Sequence, residues 1–148
     1  MDHEELQEYT IKNLCHYWPK MTEIGPYNEP LRFDAITIHR SVRKVRIFEI
    51  KTNRSDFLGD KKWEKYLDYC TYFAFVVPEG LVDKSELPKN VGLIYIYNDP
   101  EKPGWKLPMR HEYVKNCTAI RSKINQEKYI QILEAMTARV NVEEGKGR

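Results

Sequence analysis

Apolar positions recur along this chain with two different periods, and the switches between them mark out the elements. Ile11, Leu14, Cys15 and Trp18 stand at i, i+3, i+4 and i+7, one face of a helix that Pro19 ends. A turn-rich link with Gly25, Pro26, Asn28 and Pro30 follows. Leu31–Ile38 is short and β-rich and reads as a strand, and a basic turn leads to a second strand over Val45–Lys51. Asp60 stands where a helix N-cap would, ahead of Trp63, Tyr66, Leu67 and Cys70 at helical spacing. Tyr72–Val77 is an unbroken apolar run, a buried strand stopped by Pro78 and Gly80. Val91–Tyr97 is another strand, stopped by Asn98-Asp99-Pro100, and an irregular stretch runs to about His111. A last helix carries Ile124, Ile130, Leu133, Met136 and Ala138 on a less regular face. The predicted order is α-β-β-α-β-β-α. A hairpin followed by a βαβ crossover implies an α/β fold, a central mixed sheet flanked by helices.

Composition narrows the class. The chain has 148 residues, 41% hydrophobic and 31% charged, with 10 Tyr, 5 Phe and 3 Trp, enough to build a core. One domain over residues 1–142 is expected, with 143–148 a frayed tail. Phe73–Val77 is the longest apolar stretch, far short of the roughly 20 residues that a membrane span needs. The start Met-Asp-His-Glu-Glu is acidic and no apolar leader follows. Cys15, Cys70 and Cys117 are an odd, widely spaced set, which points to a reducing, cytoplasmic setting. A homodimer is compatible with the sequence and is not specified by it.

Net charge is only +2, but it is unevenly placed. Residues 1–38 hold 3 basic and 7 acidic side chains, a net of −4, whereas residues 39–66 hold 9 and 4, a net of +5. A cluster of that kind suits a polyanion such as DNA. The plainer reading is a solvated hairpin and helix face.

An acidic residue two positions before a lysine occurs three times, at Glu49-Ile50-Lys51, Asp60-Lys61-Lys62 and Glu144-Gly145-Lys146. The second opens a helix and the third lies in the tail, so both are expected to be solvated charges. The first ends an apolar strand whose alternation puts Val45, Ile47, Glu49 and Lys51 on one face. A charge there is costly unless it is paired or metal-bound. If the hairpin is centred between Ser41 and Val42, Asp34 falls opposite Glu49. Two facing carboxylates repel, and a divalent cation reverses the sign. The plainer alternative is an ion pair at the strand end with no metal.

Asp34 followed by Glu49-Ile50-Lys51 resembles the catalytic signature of the PD-(D/E)XK nuclease superfamily. More narrowly, the chain resembles the MmcB-like DNA-repair proteins. Arg32-Phe33-Asp34-Ala35, Phe48-Glu49-Ile50-Lys51, Ser55-Asp56-Phe57, the block Asp60 to Cys70, Phe73 to Pro78 and Val91 to Ile94 carry that likeness. It implies a restriction-endonuclease-like fold and a Mg²⁺- or Mn²⁺-dependent DNA phosphodiesterase. By the resemblance, Asp34, Glu49 and the Ile50 carbonyl are the metal ligands, and Asp34, Glu49 and Lys51 the catalytic set. Lys62, Tyr66 and, from the first helix, Glu8 are supporting residues. Phe33 stands where the superfamily's name has proline. Arg40, Arg43, Lys44, Arg54 and Lys61 are the expected DNA contacts. Two alternatives stay open: a DNA-binding repair accessory with little turnover, and a protein unrelated to nucleic acid whose charges form an ion-pair cluster.

The rest of the chain offers no rival chemistry. His3, His16, His39 and His111 are scattered and share no zinc spacing with the cysteines. No glycine-rich phosphate loop or nucleophile elbow occurs. Cys70 lies on an apolar face and reads as core. Tyr95 and Tyr97 share one strand face, either packed under a helix or open to bases.

Overall fold

A computed structural model describes residues 1–101 and 108–146. Its centre is one six-stranded sheet in the order β1 to β6: Lys20–Ile24, Phe33–His39, Lys44–Ile50, Tyr72–Pro78, Gly92–Asn98 and Met109–Lys115. The pairs β1–β2, β2–β3 and β5–β6 are antiparallel, whereas β3–β4 and β4–β5 are parallel. This is the α/β mixed sheet that the pattern predicts, consistent with a restriction-endonuclease-like fold. The parallel strands are the apolar ones, because both of their faces are covered.

Helices cover the two faces unequally. On one face α1 (His3–Asn13) buries Leu6 and Tyr9 against Ala35, Phe48, Ala74, Val76 and Ile94. The other face holds the larger core, closed by α2 (Arg54–Gly59), α3 (Trp63–Tyr66) and α4 (Gln126–Lys146). There Phe57 of α2 and Trp63 of α3 both pack on Phe75, with ring centroids 5.4 and 5.1 Å away. These two anchors fix the chain between them. Gly25 is also required sterically, because a Cβ there would collide with the Leu31 carbonyl as the chain closes from β1 toward β2.

Several expectations need correction. The first helix begins at His3 and stops at Asn13, so Trp18 is on no helical face and is 70% exposed. Two strands, β1 and β6, and the short α2 are additional to the predicted order. Both missed strands are sheet edges with polar sequences, Lys-Met-Thr-Glu-Ile and Met-Arg-His-Glu-Tyr-Val-Lys, which carry little apolar alternation. The helix expected from Trp63 to Cys70 is one α-helical turn, then a 3-10 turn, with Cys70 extended and buried. On α4 the buried residues are Tyr129, Ile132 and Met136, and Ile130 faces out. That helix continues to Lys146, across the start of the expected tail. Residues 147–148 and the side chains of Glu144 and Lys146 lie outside the described residues. Among those described, no helix is long and apolar enough to cross a membrane.

Candidate active site

The β2–β3 register runs Ala35↔Phe48, Ile36↔Ile47, Thr37↔Arg46, Ile38↔Val45 and His39↔Lys44. It is the register of a hairpin centred between Ser41 and Val42, so Asp34 continues it opposite Glu49. On the other side of Asp34, the β1–β2 pairs Thr22↔Ala35 and Ile24↔Phe33 bracket Glu23. Three neighbouring strands therefore set Glu23, Asp34 and Glu49 in one row across the sheet. The row stands at the C-terminal end of parallel strand β3, where open α/β sheets place their ligands. A cavity of about 570 Å³ opens there, and all three acids line it together with His3, Lys51, Asp60, Lys62 and Tyr66.

Glu49 is only 5% exposed, and among the described residues its Oε1 has no hydrogen-bond partner. Burial pushes its carboxyl well above the usual carboxylate range, and proton sharing with Asp34 and that group's charge push it further against the opposing pull of Lys51. Asp34 is better satisfied. Its Oδ2 accepts the Ile50 N–H at 2.8 Å, and Oδ1 lies 3.3 Å from His3 Nε2. The two acids thus need either a shared proton or a cation between them.

Lys51 sits between carboxylates, with Nζ 2.7 Å from Asp60 Oδ2 and 3.8 Å from Glu49 Oε2. Asp60 was expected to be a solvated charge, yet its side chain is only 11% exposed. The Phe57 and Trp63 anchors hold it over Lys51. Burial alone would raise the Asp60 carboxyl, but the hydrogen bonds from Lys51 and from the Lys62 and Trp63 N–H groups outweigh burial and hold it low. Tyr66 is buried at the cavity wall. Burial, then the charges of Glu49, Asp60 and Asp34, push its phenol up to about 12, so it stays protonated. Lys62 stands at the rim.

The sequence reading missed three groups here. His3, Glu23 and Asp34 can bring one ligand atom each within 4.8 Å of one another. Gln7 Nε2 donates to Glu23 Oε1 at 2.7 Å and to the Asp34 carbonyl at 2.9 Å. His3 and Gln7 are four apart, hence on one face of α1. Glu8 lies a step further round, pairs with Lys12 at 2.7 Å, and does not line the cavity. Glu23 carries a signal visible only in the fold. Its φ is +53°, the left-handed region that side chains avoid, and Arg139 of α4 donates to the Thr22 and Glu23 carbonyls.

The basic stretch does not flank the site as a block. Arg40 and Arg43 lie in the connection from β2 to β3, and Lys44 opens β3, about 17 Å along the strands from the acids. Arg54 is committed to Glu86 through both guanidinium nitrogens and to the Leu81 carbonyl. Lys61 is exposed beside Asp60 and Lys62.

With this geometry in place, comparison with known proteins assigns the relationship. A family model described as DNA repair protein MmcB-like matches residues 18–112, more than half of the chain. The chain belongs to the MmcB-like family. The matched span includes Glu23, Asp34, Glu49, Lys51 and Asp60, and it leaves out α1 with His3 and Gln7. No curated protein matches the chain. Among solved structures, the SPO1766 protein of unknown function from Silicibacter pomeroyi is similar in fold, with a TM-score of 0.60 and 19% identity, over 84% of this chain and 75% of that one.

Proposed function

We propose that this MmcB-like protein hydrolyses DNA phosphodiester bonds with a divalent cation, in the manner of the PD-(D/E)XK nucleases. The observation that carries the reading is the buried, unpartnered Oε1 of Glu49, beside Asp34 in a cavity that also holds Lys51. Two carboxylates and a carbonyl are a hard oxygen set suited to Mg²⁺ or Mn²⁺. Asp34, Glu49 and the Ile50 carbonyl would hold the ion, with Glu23 and His3 extending the donor set at Asp34. When bound, the ion lowers the pKa of a coordinated water and neutralises charge on the phosphate.

The protein's own groups do the rest. Lys51 donates to the phosphate oxygen on which negative charge grows. Asp60 keeps that ammonium aimed, which makes it a positioning residue. Tyr66, protonated at neutral pH, is a neutral donor at the cavity wall. Lys62 at the rim meets the DNA backbone through sequence-independent contacts.

One observation favours the accessory reading. Lys51 is closer to Asp60 than to Glu49, so its charge is already countered. The deciding experiment is incubation with single-stranded, duplex and branched DNA in Mg²⁺, Mn²⁺ or EDTA, wild type against Lys51→Ala. Metal-dependent cleavage lost in Lys51→Ala supports the nuclease. Metal-independent binding with no cleavage leaves the accessory module, and absence of both returns these residues to an ion-pair cluster.

A further inference from the structure

The opposite end of the same hairpin carries a second hollow, on the α1 face. It encloses about 210 Å³ and is lined by Tyr17, Thr37, His39, Lys44, Arg46 and Tyr72. Strand register brings these residues together, through Thr37↔Arg46, His39↔Lys44 and the parallel pair Arg46↔Tyr72. Two features are unusual for a merely structural patch. Lys44 and Arg46 stand over one ring, 5.7 and 4.9 Å from the Tyr72 centroid. No carboxylate lines the hollow, and among the described residues none forms an ion pair with Lys44, Arg46, Arg40 or Arg43. Adjacent like charges repel, and an anion relieves them.

The second feature is a stack. The Tyr17 and His39 rings lie 4.1 Å apart and 10° from parallel. Tyr17 is held by its backbone, whose N–H donates to Thr37 Oγ1 while its carbonyl accepts from the same hydroxyl. Tyr17 is nevertheless 48% exposed, and Trp18 beside it is 70% exposed. Pre-placed aromatic faces beside unneutralised cations are the combination that binds single strands, where bases are free to stack. The hollow is smaller than a usual small-molecule pocket, and paired bases inside a duplex cannot enter it.

We infer that this hollow takes one nucleotide of a single-stranded segment, its phosphate on Lys44 and Arg46 and its base against the Tyr17–His39 stack. The inference rests on the nucleic-acid part of the function proposed above and adds a strand form and a contact site outside the acid cavity. An acidic or phosphorylated peptide would use the cations and leave the stack idle.

The test is fluorescence anisotropy in EDTA, so that the acid cavity contributes no metal-dependent binding. The probes are a labelled oligothymidylate, an abasic strand of the same length and a duplex. Wild type should bind oligothymidylate more tightly than either of the others. Tyr17→Ala should weaken oligothymidylate about tenfold and leave the abasic strand unchanged. Tyr17→Phe should keep wild-type binding, and the unchanged abasic binding of Tyr17→Ala shows that variant to be folded. Lys44→Gln should weaken both single strands and flatten the salt dependence. The loss on Tyr17→Ala should be of the same size in an Arg40→Gln background, because that arginine lies outside the hollow. Unchanged oligothymidylate affinity in Tyr17→Ala, or equal affinity for duplex and single strand, overturns the site. Metal-dependent duplex cleavage without single-strand binding also overturns it while keeping the nuclease reading. Stack-dependent binding without any cleavage keeps the site and removes the nuclease.

Discussion

The two ends of the β2–β3 hairpin are built from the same register and do opposite things with charge. At one end Asp34 stands beside Glu49, whose burial on the side of the larger core leaves an oxygen without a donor. At the other end Lys44 and Arg46 face the α1 side, partly open, and their neighbours are rings rather than acids. Five residues of strand separate a pair of neighbouring acids from a pair of neighbouring cations. What differs is which face the pleat presents and what covers it. The difference shows that charge along a sequence acquires chemical meaning through strand parity, because a net of +5 over residues 39–66 is divided between two faces and two ends.

The sharpest way to break the comparison is to remove the acid end. Asp34→Ala, Glu49→Ala and Lys51→Ala should each reduce cleavage about a thousandfold, and a double variant should lose little more, since the groups act as a unit. Full activity in any single variant would remove that residue from the site. Next in size is Phe75→Ala, which undercuts both anchors of the Asp60 segment. It should cost about 3–5 kcal/mol in urea denaturation, read from the transition midpoint.

A third test uses pH. The folded Glu49 carboxyl is raised, so above its unfolded value the folded state holds more protons than the unfolded one. Stability without metal should therefore fall as pH rises from about 4.5 toward the raised value. Glu49→Gln should remove that decline, leaving a variant more stable than wild type at pH 8 in EDTA. Denaturation at pH 5 and pH 8 checks it, and an unchanged slope would show that Glu49 is not the titrating group. The smallest effect belongs to the basic end. Arg40→Gln with Arg43→Gln should weaken all DNA sequences alike and lower the salt slope by about 0.9 for each phosphate left without its cation, with turnover at saturating DNA unchanged. Lower turnover at saturation would tie the two ends together after all.

Much of the acid end was legible. Asp34, Glu49 and Lys51 stood out because charge interrupts apolar strands, and counting residues through the turn gave the pairing. The inner strands were readable for the same reason, their burial being written as apolar runs. Glu23 was not, because it belongs to a polar edge strand whose membership depends on pairing rather than on pattern. Asp60 looked like any acid at a helix start, and only the docking of Phe57 and Trp63 on Phe75 converts it into the partner of Lys51. His3 and Gln7 were hidden by a helix phase taken from Leu14, Cys15 and Trp18, which the helix ends too early to include.

Arg139 has a temporal consequence. It comes from the last helix and holds the carbonyls of Thr22 and Glu23, at the other end of the chain. During synthesis the N-terminal strands emerge first, and Asp34 and Glu49 can pair as soon as β3 is out. Glu23 is already bracketed by the β1–β2 pairs and held by Gln7, and only its backbone carbonyl waits for α4 to be made and to dock. The nascent protein thus completes the backbone support beneath its outermost acid at the last step of its assembly.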